Sequence, residues 1–308
     1  MTTYLFSHPA CLEHDPGAQH PECPDRLRAV LAALDAPKFA DLVRREAPRA
    51  EKEQLARVHD AAYIDMVLAA VPESGRFHLD PDTALSPASG EAALRAAGAV
   101  CAAVDAVVSG EATNAFCAVR PPGHHAEPER AMGFCLFNNV AVGALHARAV
   151  HGLARAAVID FDVHHGNGTQ VAFAADAGLF YASTHQWPYY PGSGASAERG
   201  VGNIVNAPLA AGSAGPDFHN AMSRDILPAL KAFDPDIVLI SAGFDAHADD
   251  PLAQLNFGEA DYEWATAELC AVAARCCEGR LVSTLEGGYD FRALAASAAV
   301  HVGALMTA

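Results

Sequence analysis

Short β-prone apolar runs alternate along the chain with longer alanine-rich segments that have a helical pattern. The short runs predict strands at Thr3–Phe6, Ala115–Val119, Ala156–Asp160, Leu179–Ser183, Asp236–Ser241 and Arg280–Leu285. The longer segments predict helices at Pro24–Leu34, Ser89–Ser109, Asn138–His151, Pro216–Phe233, Gly258–Cys277 and Phe291–Met306. Because several strands are apolar without alternation, both of their faces are expected to be covered. We therefore predict an α/β fold with a central, mostly parallel β-sheet flanked by helices on both faces.

Polar clusters follow four of these strands directly. The clusters read RPPGHH, DFDVHHGNG, AGFDAH and EGGYD, in chain order. In open parallel sheets, ligands bind outside the carboxyl ends of the strands. We therefore expect these four loops to meet at one site, although they lie far apart in the sequence.

Composition limits the class of protein. The chain has 308 residues and is 51% hydrophobic, with no repeat, low-complexity tract or linker, so we predict one domain over residues 1–308. None of its eight cysteines forms a CxxC pair and most lie in apolar runs, which predicts free thiols in a reducing cytoplasm. The amino terminus has no signal-peptide pattern, and no segment predicts a membrane span.

The charge balance is strongly acidic. Lys and Arg total 20 against 37 Asp and Glu, for a net charge of −17. Without a basic stripe, nucleic-acid binding is not expected. An acidic surface near a site attracts cationic ligands and peptides instead. The oligomeric state stays open.

The DVH segment predicts a metal site. Asp162 and His164 stand at i and i+2 where a strand ends, so an extended backbone points both side chains to the same side. Asp245 offers a third ligand from another strand end. Two carboxylates and one imidazole would leave zinc an open coordination position, as in catalytic sites. For DxH alone, buried ion pairs are favoured by roughly three to one, and the other polar clusters reverse those odds.

The GHH doublet and the EGGYD segment add candidate catalytic groups. The doublet His124–His125 has three interpretations: two metal ligands, two surface residues or an acid/base pair. Asp160 is placed to orient one imidazole, and Asn167 the other, more weakly because an amide has no net charge. Tyr289 follows two glycines and is either a donor to a developing oxyanion or a ring packed over a turn.

Together these residues resemble the histone deacetylase family, in its class II branch. The matching segments are His20–Leu27, Ala118–Ala126, Met132–Val142, Val158–Gln170, Pro235–Leu252 and Leu285–Asp290, in the family's order over nearly the whole chain. Asn167 stands where class I members carry Asp, which points to class II. The resemblance implies a single arginase-like α/β domain.

The resemblance also implies an activity, that of a zinc-dependent deacetylase of acetylated lysine-type amides. It implies that His125, paired with Asn167, is the general base and then the acid, and that His124, paired with Asp160, is an electrostatic partner. Tyr289 would help to polarise the amide carbonyl. The implied zinc ligands are Asp162, His164 and Asp245.

Further residues are carried over from the family's tunnel and cation sites. Phe134 and Tyr190 match the two aromatic walls of the tunnel that holds the acyl-lysine side chain in this family. The family commonly has Phe at the second of these positions. Gly133 matches the foot of the tunnel. The first potassium would use the side chains of Asp160 and Ser183 and the carbonyls of Asp162, His164 and Thr184. A second, peripheral potassium would use carbonyls near Phe173, Asp176, Leu179 and Asn203.

The substrate class depends on the tunnel mouth. Polyamine-selective members place Glu seven residues after the third metal ligand, and Leu252 stands there as in lysine deacetylases. The 41 residues between Asp82 and His124 leave little room for the insertion of bacterial acetylpolyamine hydrolases. Both points favour acyl-lysine, with acetylpolyamine or another small amide as the alternative. Asp80 and Asp82 are expected at the rim, where an acidic group suits either a peptide N–H or an ammonium.

Two other functions compete with this prediction. One is a module that binds acetylated ligands without catalysis, which an intact set of polar residues makes improbable. The other is a dimanganese ureohydrolase, which needs more bridging carboxylates than DFDVHH and GFDAH supply. Among the other histidines, His165 is expected to be buried and hydrogen-bonded, and the rest carry no assigned role.

Overall fold

The computed structural model describes residues 2–308 and contains ten strands and ten α-helices in that range. The strands are β1 (Thr3–Ser7), β2 (Val43–Glu46), β3 (Phe77–Asp80), β4 (Thr83–Leu85), β5 (Asn114–Cys117), β6 (Ala156–Asp160), β7 (Leu179–Gln186), β8 (Ile204–Leu209), β9 (Ile237–Ala242) and β10 (Leu281–Leu285). The helices are α1 (Pro24–Ala33), α2 (Lys52–Leu55), α3 (Ala61–Ala69), α4 (Ser89–Val108), α5 (Asn139–His151), α6 (Asn167–Phe173), α7 (Gly215–Ala221), α8 (Leu227–Phe233), α9 (Glu259–Cys276) and α10 (Phe291–Thr307).

Eight strands form one central sheet in the order β2-β1-β5-β10-β9-β6-β7-β8. Every pairing within this sheet is parallel, which confirms the predicted α/β fold. The remaining strands, β3 and β4, make a separate antiparallel hairpin. In the central sheet, β9 and β10 insert between β5 and β6, so the two last strands of the chain occupy the middle.

Helices cover both faces of the sheet. Helix α4 packs on α5, while α10 packs on α1 and α9, and both groups contact central strands. The predicted uniform burial is present, since every residue of β5, β6, β9 and β10 is buried. Among residues 2–308, no helix combines the length and apolar character needed to cross a bilayer.

One predicted helix is interrupted. The segment expected to form a single helix over Pro216–Phe233 consists of α7, a π-helical turn at Met222–Ile226 and α8. Pro228 is the second residue of α8. Proline has no amide hydrogen for the i→i−4 ladder and its ring collides with the preceding turn, so a regular helix cannot pass through this position.

Two sheet strands lack the apolar pattern that predicts strands. Strand β2 reads VRRE and lies at one edge of the sheet with most of its side chains exposed. Strand β8 forms the other edge and contains Asn206 and Pro208. Edge strands tolerate charge and proline because one side of their backbone has no pairing partner.

Candidate active site

The four polar clusters meet at the carboxyl ends of four neighbouring strands. Strands β5, β10, β9 and β6 are adjacent in that order, and each is followed by one cluster. The convergence expected from the sequence is therefore present. It brings residues separated by more than a hundred positions into hydrogen-bond contact, such as the amide of Gly287 and the Oδ2 of Asp162, 2.8 Å apart.

Three buried side chains form a group with metal-ligand geometry. One potential ligand atom from each of Asp162, His164 and Asp245 lies within 4.8 Å of the others. His164 Nδ1 is 3.1 Å from Asp162 Oδ1 and 3.1 Å from Asp245 Oδ2. This mixed oxygen and nitrogen set suits zinc, which binds carboxylates and imidazoles.

The backbone fixes which carboxylate oxygens face His164. Asp162 Oδ2 accepts the Gly287 amide at 2.8 Å, and Asp245 Oδ1 accepts the Val163 amide at 2.8 Å. A β-carbon at Gly243 would overlap the Asp162 carboxylate, and one at Gly287 would overlap that of Asp245. The two glycines therefore let the backbone close around the carboxylates, whose other oxygens converge.

Burial and mutual charge perturb all three groups. Burial and then the charge of Asp162 raise the pKa of Asp245 to about 7. Burial opposes the protonated form of His164, but hydrogen bonds to Asp162 and Asp245 raise its pKa to about 10. Without a metal, a shared proton is what relieves the repulsion between two buried carboxylates. The donor set thus fits a divalent cation, which would relieve the same repulsion.

The two neighbouring histidines stand in contrasting environments. His124 Nδ1 is 2.9 Å from Asp160 Oδ2, and His125 Nδ1 is 2.8 Å from Asn167 Oδ1. Burial opposes a charge on His124, but the Asp160 charge raises its pKa to about 10. Burial and then the nearby charges of His124 and His164 hold the pKa of His125 well below its usual value. One imidazole is therefore cationic and the other neutral near pH 7.

A pocket of about 210 Å³ opens onto these groups. Three of the candidate catalytic residues, His124, His125 and Tyr289, line it together with the candidate metal ligand His164. The five residues predicted to bind substrate also line it, namely Asp82, Gly133, Phe134, Tyr190 and Leu252.

The Phe134 side of the pocket is built on a tight left-handed turn. Gly133 has φ +56° and Phe134 has φ +68°, a region that a bulky residue rarely adopts. Their amides donate to Asp82 Oδ1 and to Thr83 Oγ1, each at 3.1 Å. The hairpin that carries Asp82 therefore holds the backbone of Gly133 and Phe134 in place. A β-carbon at Gly133 would overlap the ring of His125.

Two adjacent tyrosines, Tyr189 and Tyr190, also line the pocket. The Tyr190 ring meets the edge of His125, with centroids 5.2 Å apart. Tyr189, which sequence reasoning missed, stacks on His164 at 5.6 Å and donates its hydroxyl to the Leu252 carbonyl. Its position beside Tyr190 in the YYPG segment was the available signal.

Tyr289 is held from two directions. Its amide donates to Asp250 Oδ2 at 2.7 Å, and the Arg26 guanidinium lies 4.8 Å from its ring centroid. Burial raises the pKa of Tyr289 well above its usual value, although Arg26 opposes the shift. The phenol therefore stays protonated and able to donate.

Two buried carboxylates that support the site, Glu286 and Asp250, were also missed. Glu286 Oε2 accepts the amides of Gly123 and His124, at 2.7 and 3.2 Å. Asp250 accepts the amides of Tyr289 and of Leu252, the latter at 2.9 Å. Glu286 belongs to the EGGYD cluster, whose place directly after a buried strand was the available signal, whereas no spacing pattern separates Asp250 from a surface charge.

Two residues of the first predicted potassium site, Asp160 and Ser183, are paired neighbours on β6 and β7. Asp160 Oδ1 accepts the Asp162 amide at 3.1 Å, and Ser183 Oγ is 2.9 Å from His185 Nδ1. The carbonyls of Asp162 and His164, in the loop after β6, accept no hydrogen bond from residues 2–308. Buried carbonyls without donors are suitable ligands for a hard cation.

The second predicted potassium site is filled by a side chain. Asn203 Nδ2, which has two hydrogens to donate, lies within hydrogen-bond distance of the carbonyl oxygens of Phe173, Asp176 and Leu179, at 2.9, 3.0 and 2.7 Å. The Asn203 carbonyl accepts the Tyr181 amide at 3.1 Å instead of facing this cluster. With the amide nitrogen among them, these carbonyls do not fit a second cation.

Another group of possible metal ligands lies away from the pocket. Asp105 Oδ1 is 2.7 Å from His146 Nε2 and 2.6 Å from His151 Nε2. Arg57 donates to His146 Nδ1 at 2.8 Å, so this imidazole carries its proton on Nε2. That proton stands where a metal would bind, and a hydrogen-bonded cluster accounts for the arrangement.

As expected, His165 is buried and hydrogen-bonded, with its Nδ1 2.8 Å from Ser193 Oγ.

Comparison with known proteins identifies the family. The histone deacetylase domain matches residues 20–305 of this sequence. The chain belongs to the histone deacetylase family. The chain is 42% identical to the histone deacetylase-like amidohydrolase of Pseudomonas aeruginosa over an alignment of 279 residues. This alignment covers 89% of this chain and 73% of that protein. The predicted resemblance is thereby confirmed, and with it membership of a family of deacetylases and amidohydrolases.

A plant relative and a solved structure extend the match within the histone deacetylase family. "Histone deacetylase 14, chloroplastic" of Arabidopsis thaliana is 39% identical over 323 residues, covering 98% of this chain and 76% of that protein. The crystal structure of the HDA15 HD domain matches with a TM-score of 0.94 and 37% identity, over 99% of this chain and 88% of that chain. The arginase/deacetylase-like fold extends over nearly the entire chain.

Proposed function

We propose that this protein is a zinc-dependent deacetylase of class II type that hydrolyses acetylated lysine-type amides to the free amine and acetate. The observation that carries the proposal is the convergence of three ligand atoms at a pocket that is also lined by two imidazoles, one paired with the Asp160 carboxylate and the other with the Asn167 amide. We also propose that residues 1–308 form a single catalytic domain.

Zinc would be held by Asp162, His164 and Asp245. When bound there, zinc supplies Lewis-acid polarisation of the amide carbonyl and lowers the pKa of water. All other parts of the proposed mechanism belong to side chains of the chain itself.

His125 is the proposed general base. Asn167 Oδ1 accepts the Nδ1 proton, which leaves the Nε2 lone pair free to take a proton from the attacking water. The same nitrogen then protonates the leaving amine. His124, kept cationic by Asp160, stabilises the negative charge that develops beside it. Tyr289 donates its hydroxyl to the carbonyl oxygen as that charge forms.

The pocket shape supports a slender aliphatic substrate. Phe134 and Tyr190 present flat apolar faces that suit an alkyl stem. At the rim, Asp80 is paired with Arg130 at 3.1 Å, so the charge of Asp82 is the one left for a peptide N–H or a cationic group. Leu252, apolar at the mouth, offers no charge to a distant ammonium. These features favour acyl-lysine over acetylpolyamine.

The proposal is tested by assaying one acetyl-lysine peptide and one acetylated polyamine side by side with zinc-loaded protein. We expect faster turnover of the peptide. Faster turnover of the polyamine would change the proposed substrate class to acetylpolyamines and leave the proposed mechanism unchanged. His125→Ala is expected to abolish turnover of both and retain one zinc per chain; loss of zinc would show that His125 is a ligand and not a base.

Two further assignments accompany the proposal. We propose one potassium ion at Asp160, Ser183 and the carbonyls of Asp162, His164 and Thr184, supported by the free carbonyls after β6. We also propose a reducing compartment, the cytoplasm, because the eight cysteines are free. The chloroplastic plant relative makes an organelle the alternative location.

A further inference from the structure

We propose that Glu127 is a positioning residue that fixes the orientation of the Asn167 amide and, through it, the tautomer of His125. The inference rests on the proposed function, because it concerns the residue proposed there as the base. It adds a charged group that lies behind the His125–Asn167 pair and outside the pocket lining.

The three side chains form a directional chain of hydrogen bonds. Asn167 Nδ2 donates to Glu127 Oε1 at 2.7 Å, while Asn167 Oδ1 is 2.8 Å from His125 Nδ1. Met132 Sδ, a weak acceptor, lies 3.3 Å from the same Nδ2. Both acceptors therefore face the amide nitrogen, and the amide oxygen is directed to the imidazole.

The backbone of Glu127 is held in place independently of its side chain. Its amide donates to the Arg130 carbonyl at 2.9 Å, and its carbonyl accepts the Nδ1 proton of buried His59 at 3.0 Å. Within residues 2–308, the Asn167 amide is the hydrogen-bond partner of the Glu127 carboxylate. The carboxylate is thus aimed at Asn167 by a fixed loop.

The charge of Glu127 matters because an amide has two nearly isosteric orientations. Rotating the Asn167 amide by half a turn would place its oxygen against the Glu127 carboxylate and its NH₂ against His125 Nδ1. The first contact is repulsive. The second would require the imidazole to carry its proton on Nε2, where the proposed base needs a lone pair. Glu127 therefore selects the orientation in which His125 can act as a base.

The pairing also explains why an amide, not a carboxylate, suits position 167 of this chain. A carboxylate there would lie face to face with Glu127 at hydrogen-bond distance. Two carboxylates so close share a proton, and the pKa of one is raised. Asn167 and Glu127 are therefore expected to be energetically coupled, so that changing one alters the effect of changing the other.

The experiment measures kcat and KM of the zinc-loaded full chain on an acetyl-lysine peptide. Glu127→Ala is expected to lower kcat by about tenfold or more, with KM changed by less than about twofold, because the base and not the binding surface is affected. Glu127→Gln keeps an oxygen acceptor and is expected to retain most of the activity. Glu129 lies two residues further along the chain and has an exposed side chain. Glu129→Ala is therefore the matched control, and its kcat and KM are expected to equal those of the parent.

Coupling is tested with a double variant. Asn167→Asp alone is expected to lower kcat, most strongly at high pH where both carboxylates are ionised. Asn167→Asp combined with Glu127→Gln is expected to recover much of that loss, because the glutamine amide can donate to the new carboxylate. Effects that simply multiply in the double variant, or a Glu127→Ala enzyme as active as the Glu129→Ala control, would overturn the inference.

A readout independent of turnover completes the test. The imidazole ¹⁵N signals of His125, assigned by their loss in His125→Ala, are expected to show an Nδ1–H tautomer in the parent protein and a mixture in Glu127→Ala. Unchanged signals would overturn the inference. If the parent hydrolyses neither substrate, the proposed function fails while these signals still decide the part played by Glu127.

Discussion

At the scale of single residues, the space beside each polar side chain decides what the site tolerates. Gly133 adjoins the His125 ring, and Gly243 adjoins the Asp162 carboxylate, so that any β-carbon at either position overlaps its neighbour. The two glycines therefore leave space for different parts of the site. One adjoins the proposed base and the other a proposed zinc ligand.

Alanine at these two positions should separate catalysis from metal binding. Gly133→Ala is expected to lower kcat/KM by about a hundredfold or more, because displacement of a catalytic group by a fraction of an ångström is costly, and to retain zinc. Gly243→Ala is expected to lose zinc, because the carboxylate must move. Zinc content by elemental analysis and peptide turnover distinguish the two; zinc retained at full stoichiometry in Gly243→Ala would contradict the prediction.

The sequence predicts single residues well where their chemistry is concentrated in a loop and poorly where it is not. The groups in DFDVHH, GHH and GFDAH could be found because carboxylates and imidazoles recur after buried strands. Glu127, Asp250 and Glu286 were not found, since each acts through a backbone amide or another side chain. Their contacts exist only once the strands are in register.

At the scale of elements, the loops after neighbouring strands hold one another in position. Asp250, in the loop after β9, accepts the amide of Tyr289 in the loop after β10 and the amide of Leu252 in its own loop. The same carboxylate therefore connects a proposed catalytic residue with the mouth of the pocket. It lies outside the pocket lining.

Removing this connection should affect turnover more than substrate binding. Asp250→Ala leaves two amides without their acceptor, so we expect the free energy of unfolding to fall by about 2 kcal/mol and kcat to fall by about tenfold. Denaturant titration and steady-state kinetics measure both. Asp249→Ala removes an adjacent exposed carboxylate and is the control; equal kinetics in the two variants would contradict the assignment.

Elements in the interior of the sheet follow their sequence pattern, and those at its edges do not. Strands β6, β9 and β10 are buried throughout, so their apolar runs were sufficient to predict them. Strands β2 and β8 are edges, where pairing with one neighbour allows VRRE and IVNAPL to be strands. The break before α8 depends on the position of one proline within an otherwise helical segment.

At the scale of the whole molecule, a buried ionic cluster joins the amino-terminal region to the two halves of the site. Glu22 is fully buried and pairs with Arg120 and Arg26. Arg120 precedes the GHH doublet, and Arg26 donates to the carbonyls of Glu286 and Gly288, each at 2.5 Å. Burial opposes ionisation, but Arg120 holds the pKa of Glu22 well below its usual value.

This cluster should make stability depend on acidity. Because the folded pKa of Glu22 is depressed below the unfolded value of 4.5, its contribution is complete above that pH and is lost as the pH falls toward the folded pKa. Glu22→Gln is expected to lower the free energy of unfolding by about 3 kcal/mol at pH 7. Urea titrations should show this difference shrinking below pH ~4.5; a difference independent of pH would contradict the account.

The order of strands in the sheet also has a consequence for biosynthesis. Asp162 and His164 follow β6, whereas Asp245 follows β9, a strand that is made later and inserted beside β6. Ribosomes extrude the amino terminus first, so a nascent polypeptide that has not yet reached β9 carries only two of the three proposed ligands. We therefore expect zinc to bind late in biosynthesis. A chain that stalls before β9 is expected to have neither bound zinc nor deacetylase activity.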